Sequence, residues 1–185
     1  MDRLESVERL RSGDADRLWR LVGLDRGETV VDVGAGTGYF ALPALPFTAP
    51  TGEVYAVDVS PELVELLEER RRRRRATRFH VVQSRADRIP LPSGTADVVL
   101  LANLLHGIPD STVREAARLL RPTGRMVVVE WPKRSSAHGP PVLRRLSPAG
   151  VAARLGPFGL SVAAVGPLSK EQYVLVAGSA SRTAR

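Results

Sequence analysis

Apolar positions along the 185-residue chain fall into short continuous runs separated by stretches of helical periodicity. Val30-Val31, Val54 to Val57, Phe79 to Val82, Val98 to Leu101 and Met126 to Val129 are the runs. Successive apolar, largely β-branched residues mark parallel strands covered on both faces. Helical signals lie between them. Ser60-Pro61 is an N-cap followed by a proline at the first helical position, with Leu63, Val64, Leu66 and Leu67 as the apolar face. Thr112-Val113-Arg114-Glu115 reads as a capping box for a helix that Pro122-Thr123-Gly124 stops. Ser147-Pro148 opens another, with Val151, Ala152 and Leu155 inward. Pro43, Pro46 and Pro50 require a short or kinked helix after the first strand. Leu4, Val7 and Leu10, then Ala15, Leu18, Trp19 and Val22, predict two short helices within residues 1–24. Runs over 160–165 and 172–177 read as an antiparallel closing pair before a polar tail, 179–185. The expectation is a single α/β domain over 1–178: a doubly wound, about seven-stranded, mostly parallel sheet with an antiparallel closing strand.

Composition narrows the chemistry. There is no cysteine, which excludes disulfides, thiolate zinc sites and a thiol nucleophile. No metal site is expected. No apolar run approaches the roughly 18 residues of a membrane span. Asp2, Arg3 and Glu5 do not read as a signal peptide, so a cytoplasmic protein is expected. The net charge of +7 is mostly arginine. Arg70 to Arg75 follow Glu62, Glu65, Glu68 and Glu69, an order that complements a helix dipole. That run reads as a solvated helix end. A nucleic-acid patch is the alternative, less favoured because no aromatic residue interleaves it.

The chemical signal sits after the first run. Asp32-Val33-Gly34-Ala35-Gly36-Thr37-Gly38 places three glycines at alternate positions between a strand and a helix, where backbone can approach a ligand closely. Asp58 ends the next strand about 20 residues later, the spacing at which a carboxylate reaches a ribose. Position 39, where a dinucleotide fingerprint has its third glycine, holds Tyr39. A carboxylate at Asp32 repels a pyrophosphate but suits an ammonium and a sulfonium. The pattern Asp-x-Gly-x-Gly-x-Gly resembles motif I of the class I S-adenosylmethionine (SAM) methyltransferases, and the chain is most similar to their small ubiquinone/menaquinone C-methyltransferase type. That resemblance implies a Rossmann-like fold with SAM as cofactor. It implies that Asp32, Gly34, Ala35, Gly36 and Gly38 hold the methionine end, Asp58 the ribose with Val59 beside it, and Ala86 and Asp87 the adenine. Leu91 to Leu101 resembles a further family stretch, without its phenylalanine. Asn103, the sole asparagine, stands at the end of the fourth strand and is expected to help hold the methionine end.

The acceptor side is read from fewer residues. His106 is the candidate general base, because an imidazole titrates near neutral pH. Trp131 to Pro141 is a loop with an apolar wall from Trp131, Pro140 and Pro141, and Trp131 and His138 are the candidate substrate contacts. His80 lies inside an apolar run and reads as structural. The fourth strand ends without the Asn/Asp-Pro-Pro-aromatic sequence of amine methylation. A small-molecule acceptor is therefore expected. The alternatives are an RNA methyltransferase using the arginine-rich helix end, a SAM-binding module without activity and, more weakly, an NAD-dependent reductase.

Overall fold

The computed structural model describes residues 13–179, so the predicted helix around Leu4–Leu10 and the tail beyond Ser179 lie outside the described residues. Five helices and seven strands follow in the order α1 (Asp14–Leu21), β1 (Val30–Val33), α2 (Ala41–Thr48), β2 (Val54–Asp58), α3 (Pro61–Arg74), β3 (Phe79–Gln83), β4 (Ala96–Ala102), α4 (Asp110–Leu119), β5 (Leu120–Glu130), α5 (Pro148–Leu155), β6 (Leu160–Pro167) and β7 (Tyr173–Ser179). The strands form one sheet, ordered β3-β2-β1-β4-β5-β7-β6. β7 inserts antiparallel between β5 and β6, and all other pairings are parallel.

Alternate residues of each strand feed two cores, as a period of two dictates. Val30, Val98, Leu100, Val127 and Val129 join Leu18 and Trp19 of α1, Leu42 of α2 and Leu67 of α3. Val31, Val99, Leu101, Met126 and Val128 join Val113 and Leu119 of α4 and Val151 and Leu155 of α5. Trp19 is fully buried and its indole N–H donates to the Phe40 carbonyl at 2.9 Å, so it anchors α1 to the start of α2. Arg125 of β5 closes the same corner through both Glu28 carboxylate oxygens, at 2.6 and 2.8 Å, and the Val22 and Gly23 carbonyls.

Two predicted helix boundaries moved. α4 begins at Asp110 after Pro109, two residues before the expected capping box. Thr112 does not cap. Its hydroxyl donates to the Ala86 carbonyl at 2.5 Å, and Glu115 reaches the Ile89 N–H at 2.9 Å and Arg118 at 2.8 Å. Long-range partners took the groups that a capping box would use locally. α4 also ends at Leu119, and β5 starts at once with Leu120 opposite Ala96, so Pro122-Thr123-Gly124 lies within the strand rather than forming a stop. The register shift between Ala96 and Val98 accommodates this stretch.

The arginine run is the end of α3. Ser60 caps its start by accepting from the Leu63 N–H, and Arg75 ends it with a left-handed φ of 51°. Arg71 pairs with Glu68 and Arg73 with Glu69, one helical turn back, while Arg70 reaches the Thr37 carbonyl at 2.9 Å. His80 is engaged as a structural residue: it contacts Glu53 at 2.5 Å and stacks on Tyr55.

Candidate functional site

The sheet order reverses between β1 and β4, and the crevice outside their carboxyl ends is where ligands bind in open α/β sheets. A cavity of about 460 Å³ lies there. Its walls come from the turn after β1 (Asp32 to Thr37), the ends of β2 (Asp58, Val59) and β4 (Ala102, Asn103, Leu104), the loop after β3 (Ser84 to Ala86, Ile89) and the approach to α4 (Gly107 to Pro109, Thr112). Four successive strand ends thus supply one site.

Gly34, Gly36 and Gly38 all have positive φ, at 71°, 57° and 81°, but their roles differ. A Cβ on Gly34 would meet the Leu104 side chain at 2.8 Å, so this glycine lets the β1 and β4 ends close on each other. A Cβ on Gly36 would meet nothing within 4 Å; its backbone faces open space. A Cβ on Gly38 would strike Leu67 at 2.9 Å, and Gly38 is absent from the cavity walls. It seats the turn against α3.

Two carboxylates share the floor. Asp58 accepts from the Gly36 N–H at 2.8 Å and the Ser60 N–H at 3.0 Å, which locks the glycine turn to the end of β2. Asp32 is buried, and its Oδ1 is the sole buried side-chain oxygen or nitrogen without a partner among the described residues. Burial, and then the nearby Asp58 charge, push the Asp32 carboxyl from 3.8 up to about 7, while the Ala41 N–H pulls the other way. A buried carboxyl with an unpartnered oxygen has a hydrogen bond or a cation still to gain.

Asn103 lines the cavity with a left-handed φ of 56°, a conformation that asparagine tolerates better than most residues. Its carboxamide oxygen accepts from Gln172 at 2.6 Å. The residue type therefore has a backbone reason of its own. Ala35, Val59 and Ala86 line the cavity as expected residues of a cofactor site. Asp87 does not: its carboxylate forms a double contact with Arg85, at 3.0 and 3.1 Å, outside the cavity.

His106 sits in the turn after β4. Leu104 and Gly107 beside it line the cavity, while its ring turns toward the end of β5. There Glu130, fully buried, accepts from the His106 backbone N–H at 3.1 Å, and both its oxygens lie 3.0 Å from His106 Nδ1. Arg154 of α5 braces the turn from below, contacting the Leu105 carbonyl, the Ile108 carbonyl at 2.9 Å and Asp110 at 2.7 Å. Tyr173 completes the surroundings. Its hydroxyl is raised, first by burial and then by the Glu130 charge, and donates to the Leu146 carbonyl at 2.8 Å.

The Trp131–Pro141 loop differs from its expected place. None of its residues lines the cavity. Trp131 is buried beneath Gly139, whose missing Cβ would fall 2.5 Å from the indole. Arg145, itself buried, lies over the Trp131 ring and donates to the Arg134, His138 and Pro140 carbonyls at 2.7 to 2.8 Å. The loop wraps this guanidinium. His138 is exposed and pairs with Glu171 at 3.0 Å.

Sequence reasoning missed Glu130, Arg154 and Gln172. Glu130 had a legible signal: like Asp58, it is an acid that closes an otherwise apolar strand. Arg154 and Gln172 gave none, because their partners lie 44 to 69 residues away.

A doubly wound sheet whose switch-point crevice holds a glycine turn and two carboxylates defines a nucleotide-type cofactor-binding domain. The family model described as a methyltransferase domain matches residues 31–128. The chain belongs to the class I SAM-dependent methyltransferase family. It is similar to the ubiquinone/menaquinone biosynthesis C-methyltransferase UbiE of Azotobacter vinelandii, 31% identical over 134 residues that cover 68% of this chain and 53% of that protein. The Pseudomonas putida UbiE is 31% identical over 66% of this chain and 51% of its own length. The chain thus spans about half the length of the curated relatives it matches. Among solved structures it resembles a SAM-dependent methyltransferase from Aquifex aeolicus, with a TM-score of 0.87, 28% identity and 94% of each chain covered.

Proposed function

We propose that the chain binds SAM in the switch-point cavity and transfers its methyl group to a small, largely apolar acceptor. One observation carries the cofactor half: Asp32 lines the cavity and its Oδ1 is buried and unpartnered, close to a Gly36 position that opens onto free space. Those features suit a ligand with an ammonium group, and the cavity is of a size for a small organic ligand. In this reading Asp32 and the Gly34–Gly36 turn hold the methionine end and Asp58 the ribose. Ala86 and Ile89 flank the adenine in place of the Asp87 carboxylate. Asn103 orients the methionine end from the end of β4. SAM supplies an activated methyl group, so the chain's task is to hold donor and acceptor in line and exclude water. The acceptor approaches past Leu104 and Gly107, near His106.

The small-molecule reading draws support from the UbiE relatives, whose names specify quinone biosynthesis. The ion pairs along α3 favour a solvated helix end over an RNA-reading surface.

Thermal unfolding tests the cofactor. A ligand that binds only the folded chain raises its melting temperature. SAM and S-adenosylhomocysteine should both do so, and NAD should not. Stabilisation by NAD alone overturns the reading. Labelled methyl recovered on RNA or protein rather than on a small acceptor overturns its second half.

A further inference from the structure

The geometry points to Gln172 as a positioning residue: it turns the Asn103 carboxamide so that the NH2 group, not the oxygen, faces the cavity and donates to the carboxylate of the cofactor's methionine end. This inference rests on the proposed cofactor site and divides its labour, Asp32 meeting the ammonium group and Asn103 the carboxylate. Gln172 does not line the cavity and acts only through Asn103. It stands just before β7 and is buried. Its backbone is pinned, because its carbonyl accepts from the Leu168 and Ser169 N–H groups at 3.0 and 3.1 Å. β7 runs antiparallel to β5, so its first residues lie at the carboxyl end of β5, beside the end of β4. From there Gln172 Nε2 donates to Asn103 Oδ1 at 2.6 Å.

Asn103 has little freedom left. Its N–H donates to the Val129 carbonyl at 2.7 Å, and its φ of 56° sets the direction in which the side chain leaves the backbone. With Oδ1 held by Gln172, Nδ2 is the group that the side chain still has to offer. Among the described residues Nδ2 has no partner, and it is not one of the buried unpartnered atoms, on a residue that lines the cavity. The charge of the wall gives that donor its use. Asp32 and Asp58 make the wall rich in acceptors, and Arg85, its cationic residue, is paired with Asp87. A zwitterionic ligand end brings a carboxylate that neither acid can receive. A fixed N–H donor can receive it, in a charge-assisted bond. An unheld asparagine amide would offer its oxygen as readily as its nitrogen, and Gln172 removes that ambiguity.

Asn103 is the sole asparagine, so labelling with ¹⁵N-asparagine gives a single side-chain NH2 signal to follow. The probes are S-adenosylhomocysteine and its decarboxylated analogue, which keeps the ammonium group and lacks the carboxylate. In the wild type, S-adenosylhomocysteine should move the Asn103 NH2 protons downfield and the analogue should not. Calorimetry should show Gln172→Leu weakening S-adenosylhomocysteine binding about two- to tenfold, because the released amide spends part of its time reversed and forfeits part of a bond to a charged group. The analogue's affinity should be unchanged. An NH2 signal that S-adenosylhomocysteine leaves in place, or that the analogue moves as far, overturns the inference, and this arm needs only the wild type should the variant fail to fold. Equal weakening of both ligands in Gln172→Leu overturns it as well, since a glutamine that merely supports the fold would act on both. Undiminished S-adenosylhomocysteine affinity in that variant does the same. Binding of neither ligand by the wild type would instead refute the cofactor site, a separate failure.

Discussion

Substituting Asp32 with asparagine separates what this carboxyl costs the fold from what it gives the ligand. Its rise from 3.8 to about 7 corresponds to about 4 kcal/mol, at about 1.4 kcal/mol per pH unit. The folded-state value lies above the unfolded one, so the folded chain keeps a proton that the unfolded chain gives up. The stability this provides is complete below pH 3.8 and is lost as pH climbs through about 7. Asparagine does not titrate. Both side chains leave one buried polar atom unpartnered, so that penalty largely cancels between them. Urea unfolding at pH 5, 6, 7 and 8 should then show wild type losing ground to Asp32→Asn by about 3 kcal/mol in total, nearly all of it below pH 7. A ligand ammonium at Oδ1 requires the ionised carboxylate. Calorimetry should therefore show S-adenosylhomocysteine affinity rising up to about tenfold per pH unit below pH 7 and levelling above it, with the slope absent in Asp32→Asn. A wild-type-minus-variant difference that stays flat with pH would refute the account of Asp32, and an unchanged affinity slope in the variant would remove it from the ligand.

Further expectations attach to single contacts. Asp58→Ala should weaken S-adenosylhomocysteine binding by about 1.5–3 kcal/mol in calorimetry, and it should also lower the melting temperature, since Asp58 holds the Gly36 and Ser60 N–H groups. Gly34→Ala combines a φ of 71° with a 2.8 Å approach to Leu104 and should displace that side chain into the cavity, weakening binding more than it lowers stability. Arg145→Met should speed hydrogen exchange over residues 132–141 while leaving cofactor affinity intact; unchanged exchange there would mean that the guanidinium does not organise the loop. Nucleic-acid binding by the arginine-rich end of α3, measured by fluorescence anisotropy, should be non-specific and collapse between 50 and 200 mM salt.

The turn after β1 and the acid at the end of β2 were legible because their logic is local. A strand, three glycines and an acid at a set distance describe the β1 and β2 ends within one stretch of chain, and the structure places Asp32, Gly34, Gly36 and Asp58 around one cavity. The strands were legible for the same reason: apolar runs covered on both faces look alike wherever they sit. What failed was local grammar overridden at long range. Thr112 and Glu115 have capping-box spacing, yet Ala86 and Ile89 claim them. Trp131 and the two prolines look like a pocket wall, yet Arg145 draws the loop away from the cavity. Gly38 has the motif's spacing but faces Leu67. Composition cannot foresee such contacts, because each depends on a partner that only the folded chain brings near.

The turn that carries His106 is braced from outside the matched family region. The matched family region ends at residue 128, before Glu130, Arg154 and Gln172, the residues that set His106 and Asn103 from beneath. Every cavity residue attributed to the cofactor lies upstream of that boundary. Change in the last third of the chain can therefore move a turn that the first two thirds carry but do not support, without altering the residues proposed to hold the donor. Chains alike across the matched region and different beyond it would keep the same cavity walls and differ in how the turn after β4 is set.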